Sequence, residues 1–337
     1  MVFKRLLGSL GVGGPSVETV LDGGAVLPGG TLRGEVRLTG GSASYDIDRL
    51  TLELVARVEA EHEEGESEGL VGFERYDIGG GFRLGEEESY RVPFAVPLPW
   101  ETPVSELHGE PLGIHLGVRT ELEVAGARDK GDFDPFAVRP LPVQEAVLEA
   151  LGQLGFAFRS ADLELGHIRG SGQQLPFYQE IELIPAPAYS HRLNEVEVTF
   201  LAHPGGTEVV LEADGRGGSG VDDAMNRHAV GLDDPARADW NAVVTGWIDQ
   251  LAAAHQGYGH HDHGYHGHDH GHHDHDHGHG AKHGSGSGSG ISTGTAVAIG
   301  AAGLAVGVAG GLVAAEVVDE VGDFFEGDEE EEEGEEE

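Results

Sequence analysis

The chain has 337 residues, with 60 acidic against 20 basic side chains and a formal charge of -40. That length accommodates two ordinary domains plus extensions, and the charge excludes non-specific nucleic-acid binding, which needs lysine and arginine set against phosphate. Cysteine is absent, which removes disulfides, thiolate metal sites and cysteine nucleophiles. Lysine occurs only at Lys4, Lys130 and Lys282. An acid excess spread through apparently folded segments matches adaptation to extreme salt, where a Debye length of about 3 Å at 1 M screens self-repulsion.

The N-terminal stretch pairs Lys4 and Arg5 with a brief apolar run and lacks a small-residue cleavage signature, so it does not read as a secretory signal. Val2, Phe3, Leu6, Leu7 and Leu10 share one helical face, which suits a short helix docked on the protein's own body, with membrane contact as the alternative. From Val17 to about Pro140 the pattern changes to alternating runs punctuated by glycine and proline. Leu32, Gly34, Val36 and Leu38 fall on one face of a strand, and Leu50, Leu52, Leu54 and Ala56 repeat the pattern. Further strands are predicted at 90–96 and 114–123. The acidic segment 60–68 reads as a solvated hairpin tip. Strands at this spacing without intervening helices predict a sandwich.

A second block follows Asp134-Pro135. Val143, Val147, Leu151 and Leu154 form an apolar stripe that opens after Pro142 and stops at Gly155, predicting one helix that bridges the domains. Strands resume at 156–165, 176–184, 196–201 and 207–213. A closing helix is predicted with Asp233 or Asp234 as its cap, Pro235 in its first turn, and Trp240, Val243, Val244, Trp247, Ile248 and Leu251 as its stripe. Two tryptophans on one face predict core packing.

Several segments are informative together: FKRLLGSLGVGGPSVETVLDGGAVLPGGTLRGEVRLTGG, YDIDRLTLELVARVE, YRVPFAVPLPWETP, FDPFAVRPLPVQEAVLEALGQLGF, LPFYQEIELIP and LNEVEVTFL. With the tryptophan helix they resemble the bacterial and archaeal sporulation-control protein family (SpoOM) over roughly residues 1–254. The resemblance implies an all-β fold of two antiparallel β-sandwich, arrestin-like domains, at 1–135 and 136–254, with a connecting helix and a C-terminal helix. It also implies a cytoplasmic scaffold or adaptor linked to developmental and cell-division control, acting on protein partners and not as an enzyme. The family offers no site motif to transfer.

The residues themselves show no catalytic constellation. There is no Gly-x-Ser-x-Gly elbow, His-Glu-x-x-His pair, Walker loop or dinucleotide fingerprint. Asp46, Asp48, His115, His167, His191 and His203 lack partners at ligand spacing and read as surface or loop positions.

Everything after His255 departs from the family pattern. Residues 255–290 form a linker rich in histidine, aspartate, glycine and serine, in which His260, His261, His263, His266, His268, His270, His272, His273, His275, His277 and His279 are the candidate metal ligands. Imidazoles beside carboxylates suit zinc, nickel or copper, and the glycines make the segment a flexible chelator without the fixed frame a catalytic zinc needs. This supports metal binding or buffering as the alternative function, with a hydrophilic spacer as the plain reading. No cofactor is required by the body.

Residues 291–315 carry no charge and are long enough to cross a bilayer core of about 30 Å. Gly303, Gly307 and Gly311 stand four apart, a spacing that lets helices approach closely. A membrane span, an oligomerising glycine zipper forming a homo-oligomer, and a disordered tail are the three readings. The first predicts a cytoplasmic body tail-anchored in the cell membrane. Residues 316–337 are acidic and stay solvated.

Overall fold

A computed structural model describes residues 13–62, 65–126, 129–215, 224–232 and 238–257. The first unit is a sandwich. One layer comprises β1 (Ser16–Leu21), β2 (Thr31–Thr39) and β6 (Ser89–Pro97), in the order β1-β2-β6. The other is built around β3 (Tyr45–His62), flanked by β9 (Leu116–Val124) and β10 (Lys130–Pro135) on one side. On the other side lie β4 (Gly65–Gly79) and the short β5 (Phe82–Leu84). A small hairpin of β7 (Glu106–Leu107) and β8 (Glu110–Pro111) precedes β9.

Alternation accounts for the packing between these layers. Leu32, Val36 and Leu38 from β2 meet Leu50, Leu52 and Leu54 from β3 and Val118 and Leu122 from β9, all buried in one core. Gly34 occupies the remaining inward position of β2. A Cβ there would lie 2.4 Å from the Val20 carbonyl oxygen and 2.8 Å from the Phe94 ring, so only glycine lets β1 and Phe94 approach this closely. One side of the sandwich is sealed where the Thr19 amide donates to Asp132 Oδ2 (2.5 Å) and the Thr19 and Thr120 hydroxyls bond at 2.6 Å.

The predicted hairpin tip is narrower than its acidic sequence suggests. The β3–β4 ladder continues through Glu59↔Glu68 to His62↔Gly65, so the strands occupy most of the segment read as a tip.

Helix α1 (Pro142–Gln153) starts with proline at its first turn, where the missing N–H costs nothing. The Gln144 side chain accepts from the Leu141 amide at 2.7 Å. The helix ends in a Schellman arrangement: Gly155, at φ 95°, donates to Gly152, and Phe156 donates to Leu151. This is the stop that Gly155 predicts.

The second unit is a sheet of β11 (Ala157–Leu165), β12 (Phe177–Ile184), β13 (Leu193–His203), β14 (Gly206–Gly215) and β15 (Ala224–Val230), antiparallel throughout. Its apolar face, including Ile181, Val196, Val198, Val209 and Leu211, packs on α1 and on α2 (Trp240–Gly257). The described residues are therefore mostly β with two helices, as the patterning predicts, and in the second unit those helices form the layer covering the sheet.

Helix α2 begins later than expected. Its first turn is capped by Asp239, whose Oδ1 accepts from the Ala242 amide at 3.2 Å. The expected caps Asp233 and Asp234 and the expected first-turn Pro235 lie upstream, outside the described residues. Trp240 and Trp247 do pack on the second core, as expected, but both are only partly buried. They meet edge to face at 6.4 Å, and Trp247 stacks on His228 at 4.3 Å.

The two units are joined through their interiors. Leu163, Leu175 and Phe177 belong to the second unit yet are buried in the first core. The buried Gln179 amide accepts from the Val104 N–H (2.9 Å) and donates to the Val104 carbonyl (2.8 Å), so both its polar ends are satisfied across the junction. At the start of α1, Leu141 and Val143 cluster with Ala202, and Leu27 and Trp100 of the first unit pack against them. The helix bridges the domains as predicted. A parallel contact of Glu164 with Glu59 carries the sheet from one unit into the other.

Candidate functional site: a carboxylate face

Alternation on the second sheet sends every other side chain away from the helices. About half of those side chains are acidic: Asp162 and Glu164 on β11, Glu180 and Glu182 on β12, Glu195 and Glu197 on β13, and Glu208 and Glu212 on β14. Register aligns them. Asp162 stands opposite Glu180, Glu182 opposite Glu197, and Glu197 opposite Glu212, with neighbouring strands about 4.8 Å apart. Within this face Thr199, Leu201 and Val210 are buried, and the segment between β11 and β12 reaches its edge, where Arg227 donates to the Arg169 carbonyl at 3.4 Å.

Like charges opposite one another on a ladder repel, and the face relieves that repulsion in two ways. The first is arginine. A bulge between Phe158 and Ser160 places Arg159 against Glu195 (2.6 Å) and Glu182 (3.6 Å), and Arg227 on β15 pairs with Glu208 at 2.8 Å. The second is protonation. Burial, reinforced by the charges of Glu197 and Asp162, pushes the Glu180 carboxyl up to about 9. Burial also lifts Glu197 to about 7, with Glu212 and Glu195 adding to it. Burial raises Glu195 too, against the opposing pull of Arg159. The Tyr178 phenol is raised by burial and then by Glu180.

At neutral pH the face is thus a mixture of neutral acids, which donate hydrogen bonds, and carboxylates, which only accept. The Ser160 hydroxyl donates to Glu182 at 2.5 Å. Apolar side chains mark the margins: Ile184 is 53% exposed and Met225 is 44% exposed. Asp162, Glu164 and Glu180 bring ligand atoms within 4.8 Å of one another, yet a cation bound there must first displace the proton held by Glu180.

Sequence reasoning places these residues, except Glu195, inside predicted strands but does not single them out or join them into one surface. The candidate metal ligands His260, His261, His263, His266, His268, His270, His272, His273, His275, His277 and His279 lie outside the described residues, as do 291–315 and 316–337. His167, His191 and His203 are exposed, and His115 is partly buried, which lowers its imidazole pKa, with Arg57 nearby adding to the effect. Asp46 pairs with Arg83 at 3.6 Å on the surface. Among the described residues no helix is long and apolar enough to cross a membrane.

Fold and face together define a mostly β protein of two units, a β-sandwich followed by a helix-backed sheet, with an extended acidic sheet surface. The family model for SpoOM protein matches residues 3–217, and the chain belongs to this sporulation-control family. It is 33% identical over 215 residues to the sporulation-control protein Spo0M of Bacillus subtilis (strain 168), an alignment covering 64% of this chain and 81% of that protein. A crystal structure of Spo0M from Bacillus subtilis is similar with a TM-score of 0.62 at 28% sequence identity, covering 71% of this chain and 100% of that one.

Proposed function

We propose that the chain is a non-enzymatic adaptor of the sporulation-control type, and that it binds protein partners through the carboxylate face of its second unit. The observation that carries this reading is the aligned row of Glu182, Glu197 and Glu212 across β12, β13 and β14, margined by exposed Ile184 and Met225. A partner suited to it presents arginine or lysine alternating with apolar side chains on an extended segment. Guanidinium groups bond carboxylates in pairs, and the apolar positions cover the margin. In molar salt long-range attraction is screened, so recognition there depends on these direct contacts.

The test is a titration of the full chain with a labelled peptide alternating arginine and leucine, at 0.15 M and at 2 M salt. Replacing Glu182, Glu197 and Glu212 together by glutamine is expected to weaken binding about tenfold or more, a change of about 1.4 kcal/mol. Unchanged affinity in that triple variant overturns the reading.

A second reading, metal buffering by residues 255–283, is supported by the thirteen histidines of 255–290 among the chain's 20. Zinc, nickel or copper would bind there, with affinity falling below about pH 6.5 as imidazole protonates. For the C-terminal extension, the uncharged run 291–315 and its glycine spacing support a tail anchor that leaves the body in the cytoplasm. Carbonate extraction of membranes reads this directly: retention of the full chain in the pellet is expected, and release to the supernatant refutes the anchor.

A further inference from the structure

The β7–β8 hairpin turns through His108 and Gly109, at φ 56° and 86°. Two central residues with positive φ make the type I′ turn, whose usual residues are asparagine and glycine. A histidine at the first position accepts a left-handed backbone that asparagine or glycine adopts more readily. That backbone aims the imidazole at α1. His108 Nδ1 lies 3.3 Å from Glu145 Oε1, and Nε2 lies 3.6 Å from Glu149 Oε1. Glu145 and Glu149 are one helical turn apart and share a face.

These separations exceed the about 2.7–2.9 Å of a charge-assisted hydrogen bond. They involve the two different nitrogens of one imidazole, of which a single ion takes only one, so each separation taken singly approaches the about 3.3–3.6 Å edge of a tetrahedron around an ion with bonds of about 2.0–2.2 Å. One nitrogen and one oxygen from each glutamate all lie within 4.8 Å of one another.

We propose that His108, Glu145 and Glu149 form a binding site for a divalent transition-metal ion of the zinc class. The imidazole selects such ions over magnesium and calcium, which prefer oxygen alone. The side chains are 53%, 40% and 50% exposed, so the ion has a way in and water completes its coordination. The hairpin belongs to the first unit and α1 opens the second, and Leu107, next to His108, packs against both cores. An ion held here ties the units together at their junction. The site uses none of the histidines of 255–283.

The test uses the full chain and zinc chloride alone. Histidines are carbethoxylated with diethyl pyrocarbonate and quantified peptide by peptide, so that binding by residues 255–283 registers on its own peptides. As zinc is raised past the amount those peptides take up, His108 reactivity is expected to fall about fivefold or more and to recover with a chelator. In Glu145→Gln/Glu149→Gln, zinc should leave His108 reactivity within about twofold. A second readout is hydrogen exchange in 106–111 and 142–153. Zinc is expected to slow it in the native chain and not in His108→Asn, which keeps a residue suited to the turn. An unprotected His108 in excess zinc overturns the proposal, as does equal protection in the double glutamine variant or equal slowing in His108→Asn.

Discussion

Raising the pH from 5 to 9 in dilute buffer is expected to destabilise the protein, with melting temperature falling across the whole interval. Glu180 and Glu197 sit at about 9 and about 7 in the folded chain, and Asp134, raised by burial and by neighbouring Asp132, sits at about 7. In the unfolded chain all three titrate near the ordinary carboxylate values. Between these limits the native state binds more protons than the unfolded state, so stability falls as pH rises. The contribution is fully present below about pH 4 and is lost as pH passes through 7 and then 9.

Because these groups are only partly buried, the combined effect is about 2–4 kcal/mol, or about 5–12 °C in a domain pair of this size. Below about pH 4 the ion-paired carboxylates protonate and the trend reverses, which places the optimum near pH 5. Glu180→Gln should flatten the slope and stabilise the protein at pH 8 by about 1–3 kcal/mol. Salt at 2 M should flatten it as well. An unchanged pH slope in Glu180→Gln contradicts this account of the face.

The second large effect is at the junction. Phe177 is 2% exposed, lies in the first unit's core although β12 belongs to the second, and meets Phe73 edge to face at 5.6 Å. Phe177→Ala should cost about 3–5 kcal/mol, and because the core is continuous the loss should appear as one cooperative transition moved to lower denaturant. Calorimetry or denaturant unfolding checks this. A cost under about 1 kcal/mol, or separate melting of the second unit alone, would show that the units are not joined as described.

The strands that sequence reasoning finds are those in which local pattern and burial agree. Leu32 to Leu38 alternate because one side of the strand meets the sandwich core, whereas over Leu50 to Ala56 the leucines face that core and Thr51, Glu53 and Val55 on the other side are buried as well. The α1 stripe and its Gly155 stop are legible for the same reason: both depend on residues a few positions apart. By contrast β4, with the sequence GESEGLVGFERYDIG, scatters charge and glycine through its length. It forms because β3 offers a long ladder, interrupted by shifts at Leu50/Thr51 and Leu54/Val55 that blur any simple alternation.

The acidic face was half legible. Each carboxylate except Glu195 falls inside a predicted strand, but its neighbour across the sheet is fixed by register between segments far apart in the chain. That register, and the desolvation that follows from it, turns scattered glutamates into a surface of shared protons. His108 is hidden differently. Its glutamate partners sit at helical spacing on a predicted helix, yet the histidine reaches them only because a hairpin turn some 37 residues earlier in the chain folds back onto that helix.

The central claim is that partners dock on β12, β13 and β14, and zero-length coupling tests it most directly. The full chain, with an extended peptide of alternating lysine and leucine bound, is treated with a carbodiimide that joins lysine to carboxylate only at contact distance. The links are then located by mass spectrometry. The account predicts links concentrated on Glu182, Glu197 and Glu212, and retained at 2 M salt. Links confined to the acidic residues 316–337, or spread evenly over the acidic surface and abolished by salt, would contradict it.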